Sequence, residues 1–288
     1  MTTLDDLPPL RDSLAAHGLW ANKGLGQHFL LDMNITRKIA RLAGPLGIGL
    51  TVEVGPGPGG LTRALLEAGG HVLAIEKDAR FLPVLADLAA AAPDRLFVVQ
   101  GDALHADEAA LVANLLPGAP VRIVANLPYN VGTPLLLKWL TGSLRLQSLT
   151  LMFQKEVAQR IVAPTGSPAY GRLAVICQAL AFSEIIMDLP PRAFTPPPKV
   201  ASTVVQLIPK AQGLDTGLLR SLEGVTREAF GQRRKMLKSS LKSLGGATLC
   251  EAAGIDPEVR AETIDVAGFL RLAQAALLCT SSGAAASS

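Results

Sequence analysis

The chain has 288 residues, a formal net charge of +3 and a mean hydropathy of +0.34, enough length for one large domain and a smaller one. No apolar run reaches the ~20 residues that cross a bilayer, and residues 1–12 carry acids and prolines in place of a basic and then apolar leader. Cys177, Cys250 and Cys279 are odd in number and far apart, which suits neither a disulfide framework nor a zinc site, so we expect a cytoplasmic protein with buried thiols, no membrane and no metal.

Residues 1–20 read as a lead-in with a short helix around Leu10 to His17. In Lys23-Gly24-Leu25-Gly26-Gln27-His28-Phe29-Leu30-Leu31-Asp32 two glycines loosen the backbone. Such a loop can close over a ligand, but alone it reads better as a connector to a helix from Asn34 to Leu42. From Leu50 the pattern alternates strand and helix with short turns, which predicts a parallel sheet covered on both faces. The first strand, Leu50 to Val54, turns through Glu53-Val54-Gly55-Pro56-Gly57-Pro58-Gly59-Gly60 into a helix from Leu61 to Ala68.

That turn fits two patterns. Gly55, Gly57 and Gly60 match a dinucleotide fingerprint, while Glu53, Gly55, Gly57 and Gly59 match the acid-x-Gly-x-Gly-x-Gly form of methyltransferases. Pro56 and Pro58 lack the N–H groups a pyrophosphate cradle uses, which tilts against a phosphate-bearing cofactor. A second strand, His71 to Ile75, ends at Glu76, an acid placed to bind a ribose diol, and a third, Leu96 to Gln100, ends at Gly101-Asp102, placed to read an adenine. Either acid alone is more often a helix cap.

A fourth strand delivers Asn126-Leu127-Pro128-Tyr129-Asn130 to the carboxyl edge. The Asn126 amide oxygen and a backbone carbonyl freed by Pro128 converge beside the Tyr129 ring, an arrangement that suits a planar base with an exocyclic amine. A strand that ends in a turn, with Tyr129 as core, fits this stretch equally well. A fifth strand, Ser148 to Phe153, runs into Gln154-Lys155-Glu156-Val157, and a helix from Tyr170 to Leu180 leads to two last strands, Phe182 to Leu189 and Ser202 to Ile208. Between them a proline-dense loop, Pro190 to Val200, presents Phe194 either as a second wall for the base or as a cap on the core.

After Lys210 short helices take over. Lys210 to Gly245 holds eight Lys/Arg against three acids, and Arg234, Lys238 and Lys242 recur at i, i+4, i+8 beside an apolar face of Phe230, Leu237, Leu241 and Leu244. This predicts one basic stripe on a packed helix, able to track a phosphate backbone. The expected divisions are an α/β domain over 1–210, with a lead-in and ligand-covering segment at 1–48, a helical domain over 211–280 and a disordered tail at 281–288.

The ordered set Gly26-Gln27-His28-Phe29-Leu30, the glycine turn with Glu53, Glu76, Gly101-Asp102, Asn126-Leu127-Pro128-Tyr129, Gln154-Lys155-Glu156-Val157, Phe194-x-Pro-Pro-Pro-Lys199-Val200 and Phe230-x-Gln-Arg-Arg-Lys235 resembles the ribosomal RNA adenine N6-dimethyltransferase family. The resemblance covers nearly everything from Lys23 to about Phe269. It implies a Rossmann-like sheet that binds S-adenosylmethionine through His28, Leu30, Gly55, Glu76, Asp102 and Asn126. Asn126 and the Leu127 carbonyl would orient an adenine amine, with Tyr129 and Phe194 stacking the base. The implied substrate is two adjacent adenosines in the 3′-terminal hairpin of 16S rRNA, on the immature 30S subunit. From the charge pattern, Arg233, Arg234, Lys235, Lys238 and Lys242 are the expected RNA contacts, and a monomer is the default expectation. The family usually has Asn where this chain has His28. Two other readings carry over: an assembly factor that acts mainly by binding, and, distantly, a nicotinamide oxidoreductase.

Overall fold

A computed structural model describes residues 3–20 and 27–285. Lys23, Gly24, Leu25 and Gly26 of the expected covering loop lie outside the described residues, as do 286–288 of the expected tail. The chain divides into two compact units, Met1–Ala158 with Glu184–Ile208, and Gln159–Ser183 with Pro209–Ser288. Among the described residues no helix is long and apolar enough to cross a membrane.

The strands of the first unit, among the described residues, are β1 (Phe29–Leu30), β2 (Leu50–Val54), β3 (His71–Glu76), β4 (Leu96–Gln100), β5 (Val121–Asn126), β6 (Leu146–Gln154), β7 (Ala181–Leu189), β8 (Phe194–Thr195) and β9 (Ser202–Pro209). Seven of them form one sheet in the order β4-β3-β2-β5-β6-β9-β7, parallel from β4 to β6 and antiparallel between β6 and β9. All five residues of β2 are buried, as expected for a strand covered on both faces. The covering helices are α1 (Leu10–Ala16), α2 (Met33–Leu42), α3 (Gly60–Glu67), α4 (Leu82–Ala91), α5 (Glu108–Leu115), α6 (Gly132–Thr141) and α7 (Lys155–Ile161). Their starts are chemically marked. Asp32 caps α2 by accepting from Asn34 N at 2.9 Å, and Asp107 caps α5 by accepting from Ala110 N at 3.0 Å.

Two features position the cleft. The glycine turn holds Gly55, Gly57 and Gly59 at positive φ, and a Cβ on Gly60 would lie 2.5 Å from the Leu30 carbonyl oxygen, so the chain passes too close there for any side chain. The second feature is a separate two-stranded sheet in which β1 pairs antiparallel with β8, Phe29 opposite Thr195 and Leu30 opposite Phe194. The stretch read as a free covering loop is thereby tied to the proline-dense loop.

The second unit contains α8 (Arg172–Leu180), α9 (Thr216–Gly231), α10 (Leu237–Ser240), α11 (Gly246–Ala252) and α12 (Val266–Ala285) around Tyr170, Leu222, Val225, Leu241, Phe269 and Leu272. Tyr170 is fully buried and donates to the Ile264 carbonyl at 2.9 Å. The unit does not begin at the expected boundary of 210, because Tyr170, Ala174 and Val175 pack into this helical core and bring 159–183 with them. α12 runs to Ala285.

The single basic stripe does not exist as expected. α9 stops at Gly231 and the chain is extended at Met236, where residues 236–238 hydrogen-bond to a neighbouring segment: Leu237 N to Val259 O at 2.8 Å and Lys238 N to Pro257 O at 2.9 Å. With the backbone donors committed there, Arg234 lies in the connection, Lys238 on α10 and Lys242 in a 3-10 turn.

Candidate active site

β2 and β5 are neighbours in the sheet although β3 and β4 come between them in the chain, so the strand order reverses there and the loops leaving their carboxyl ends part. A cleft of about 770 Å³, its open mouth included, lies at that point. Its walls are Glu53 and the turn Gly55 to Leu61, Glu76 from β3, the corner Asn126 to Tyr129 after β5, and Gln27 to Leu30.

Among the described residues two carboxylic acids line this cleft, and no lysine or arginine does. Glu76 is 6 % exposed and accepts from two backbone donors, Gly57 N at 2.9 Å on Oε2 and Asp78 N at 2.7 Å on Oε1. Burial raises its pKa and those donors oppose the rise. Glu53 is 1 % exposed, and its Oε2 has no hydrogen-bond partner among the described residues. Burial pushes its carboxyl up to about 8, with Thr62 opposing and the Glu76 charge adding to the rise. The Gly57 N–H is committed to Glu76, and Pro56 and Pro58 have none, so the turn is a poor pyrophosphate cradle. An acidic wall of this kind suits a positively charged nucleoside.

The corner after β5 is polarised. Asn126 donates through Nδ2 to the His28 carbonyl at 3.3 Å, which leaves Oδ1 as its acceptor. Pro128 O accepts from Val131 N and Gly132 N, both at 3.1 Å, and so starts α6. The Tyr129 hydroxyl is hydrogen-bonded to Ser202 Oγ at 2.8 Å, which fixes the ring, and burial raises the pKa of the phenol. His28 lies beside that ring, centroids 5.9 Å apart and planes tilted by 31°, with Nδ1 2.8 Å from Pro196 O. The site can therefore present an amide oxygen next to an anchored aromatic face.

His28, Leu30, Gly55, Glu76, Asn126, Leu127 and Tyr129 are thus brought together. Two expected site residues are not. Asp102, just beyond the end of β4, lies outside the cleft wall and accepts from Lys77 Nζ at 2.8 Å and from Leu104 N at 3.0 Å, so it serves an ion pair and a turn. Phe194 is 3 % exposed and packs with Leu30, Val124, Met152 and Val204, because β8 is pulled onto β1. Its ring packs on the core in this structure.

The basic residues divide similarly. Arg233 donates to Pro168 O at 3.2 Å and Tyr170 O at 3.0 Å, and Lys238 pairs with Glu258 at 2.6 Å. Both hold the second unit together. Arg234, Lys235 and Lys242 are exposed, with no ion pair to a described carboxylate.

Ser202 is a site residue the sequence did not reveal. It stands 73 residues from Tyr129 in the chain, and only the pairing of β6 with β9, Gln154 opposite Ser202, brings it near. The burial of Glu53 follows from its place in β2, all five residues of which are buried.

Residues 18–277 match the family model described as ribosomal RNA adenine dimethylase. The ribosomal RNA small subunit methyltransferase A of Phenylobacterium zucineum is 64% identical over 274 residues, covering 95% of this chain and 94% of that protein. The protein of the same name from Caulobacter vibrioides is 64% identical over 258 residues, covering 89% and 98%. Among solved structures, a dimethyladenosine transferase from Plasmodium falciparum is similar, with a TM-score of 0.72 and 26% identity over 85% of this chain and 96% of that one. The 23S rRNA methyltransferase ErmE is similar with a TM-score of 0.66 and 25% identity, covering 86% and 98%.

Proposed function

The chain belongs to the ribosomal RNA adenine dimethylase family, and from that premise we propose that it transfers methyl groups from S-adenosylmethionine to N6 of two adjacent adenosines in the 3′-terminal hairpin loop of 16S rRNA. The observation that carries this reading is the polarity of Asn126, whose Nδ2 is bound to the His28 carbonyl so that Oδ1 is left to accept from an amine. The small-subunit assignment rests on the two relatives at 64% identity, both named for that subunit. N6,N6-dimethyladenosine is the product, and the RNA is presented on the immature 30S subunit to a monomeric enzyme.

When bound, S-adenosylmethionine supplies a methyl group on a sulfonium, a good leaving group for transfer to nitrogen without a metal or a covalent enzyme intermediate. Glu76 would receive the ribose hydroxyls, Gly55 and Leu30 would hold the nucleoside, and the acids of the cleft would accommodate its charge. Asn126 Oδ1 and the Leu127 carbonyl would accept hydrogen bonds from the adenine amine, which favours its pyramidal, nucleophilic form, and the proton lost on methylation would pass to solvent. Tyr129, anchored at Ser202, holds the base face-on. Orientation next to a good leaving group supplies much of the rate.

Arg234, Lys235 and Lys242 favour a second role, in which binding to the immature subunit itself assists assembly. The first test is transfer of radiolabelled methyl to small subunits from a strain lacking this modification, followed by nucleoside analysis. Dimethyladenosine in the 3′-terminal hairpin supports the proposal. Tight binding without transfer would replace it with the assembly role.

A further inference from the structure

We propose that Glu53 is the charge receptor of the cleft: it holds a proton when no cation lies beside it and releases that proton when the positively charged methyl donor binds. The inference rests on S-adenosylmethionine being the ligand and adds that its binding and the loss of one proton are a single event.

The key atom is Oε2 of Glu53. It belongs to a side chain 1 % exposed, lines the cleft and has no hydrogen-bond partner among the described residues. A buried carboxylate with an unpaired oxygen is costly, and two changes relieve it: a proton on the oxygen or a positive charge beside it. The described elements around Glu53 withhold the second. From β3 comes another acid, Glu76; from α3 comes Thr62, which offers Glu53 only neutral donors, a hydroxyl and a backbone N–H. The other titratable groups of the cleft are His28 and Tyr129, and no described lysine or arginine lines it.

Glu76 does not share this position. Both its oxygens accept backbone N–H groups, at 2.9 and 2.7 Å, which stabilise its charged form. Burial holds Glu53 up to about 8, so it keeps its proton near pH 7 when no cation lies beside it. A ligand cation reverses the balance, since an opposite charge nearby favours the ionised form. The proton leaves to solvent and the carboxylate stays with the cation, so charge and atoms balance.

The test is calorimetric titration of the full chain with S-adenosylmethionine near pH 7 in buffers of different ionisation enthalpy. The expected result is an observed enthalpy that changes linearly with the buffer, with a slope of close to one proton released. Glu53→Gln should bring the slope close to zero and weaken binding about tenfold. Glu76→Gln should weaken binding and keep the slope. 5′-Methylthioadenosine, a neutral nucleoside, should bind without proton release. Infrared difference spectra give an independent reading, with a protonated-carboxyl band in the free protein that bleaches on binding and is missing from Glu53→Gln. S-Adenosylmethionine binding with the same enthalpy in every buffer, or a slope that survives in Glu53→Gln, overturns the inference and leaves the cofactor assignment standing. Absence of S-adenosylmethionine binding in any buffer overturns the cofactor assignment itself, and this inference with it.

Discussion

The side-chain amide of Asn126 is bonded to the backbone carbonyl of His28, 3.3 Å away, and to no part of the imidazole. Identity at position 28 is therefore separable from the polarity of Asn126. Asn126→Ala should lower single-turnover methyl transfer by roughly 10²–10³, the usual loss for a preorganised polar group at a reacting centre. His28→Asn, which restores the residue common in the family, should change the rate less than about tenfold, the equivalent of one ordinary hydrogen bond. Equal losses in the two variants would contradict this division of roles.

Tyr129 has two jobs that a pair of variants can separate. Tyr129→Phe keeps the ring and loses the 2.8 Å bond to Ser202, so stability should fall by about 0.5–1.5 kcal/mol with modest loss of activity. Tyr129→Ala removes the aromatic face and should cost far more activity. Fluorescence of a 2-aminopurine placed at the target adenosine would show the difference, quenched by stacking in the first variant and bright in the second.

Burial of Glu53 should appear in the pH dependence of folding. Its pKa is raised to about 8 in the native protein, above the usual carboxyl range of the unfolded chain. Below that range both states hold the proton and stability is fully present. As pH rises the unfolded chain ionises first, so stability is lost progressively until the native group titrates, each unit of separation costing about 1.4 kcal/mol at most. Glu53→Gln lacks this loss. Its melting temperature relative to wild type should therefore climb between about pH 5 and pH 8 and level off above that. A constant difference across the range would refute the assignment.

The basic residues of the second unit should separate into two classes. Arg234→Ala, Lys235→Ala and Lys242→Ala together should weaken RNA binding and reduce its salt slope by about one for each phosphate that is no longer neutralised. Arg233→Ala should chiefly lower the melting temperature, because its guanidinium donates to Pro168 and Tyr170 carbonyls. Filter binding across a salt series and thermal unfolding measure the two effects.

What the sequence made legible follows from the range of the interactions involved. Leu50 to Val54 and Leu96 to Gln100 were readable to the residue, since a short apolar run bounded by turn residues is locally specified. The Asn126 to Tyr129 corner and Glu76 were readable for the same reason. The stripe through Arg234, Lys238 and Lys242 misled because 3.6-residue spacing continues across Gly231, while the backbone there is claimed by Pro257 and Val259 from a distant segment. The surroundings of Phe194 and Asp102 were not legible, because the pairing of β8 with β1 and the ion pair to Lys77 both come from other segments of the chain.

The pairing of β1 with β8 also sets when the cleft can exist. His28 and Pro196, which meet at 2.8 Å beside it, are 168 residues apart in the chain. Pairings so far apart cost more loop-closure entropy than local turns do. The wall made by His28 to Leu30 is held through this ribbon, so a nascent chain that has not yet emerged past β8 lacks the strand against which that wall is paired.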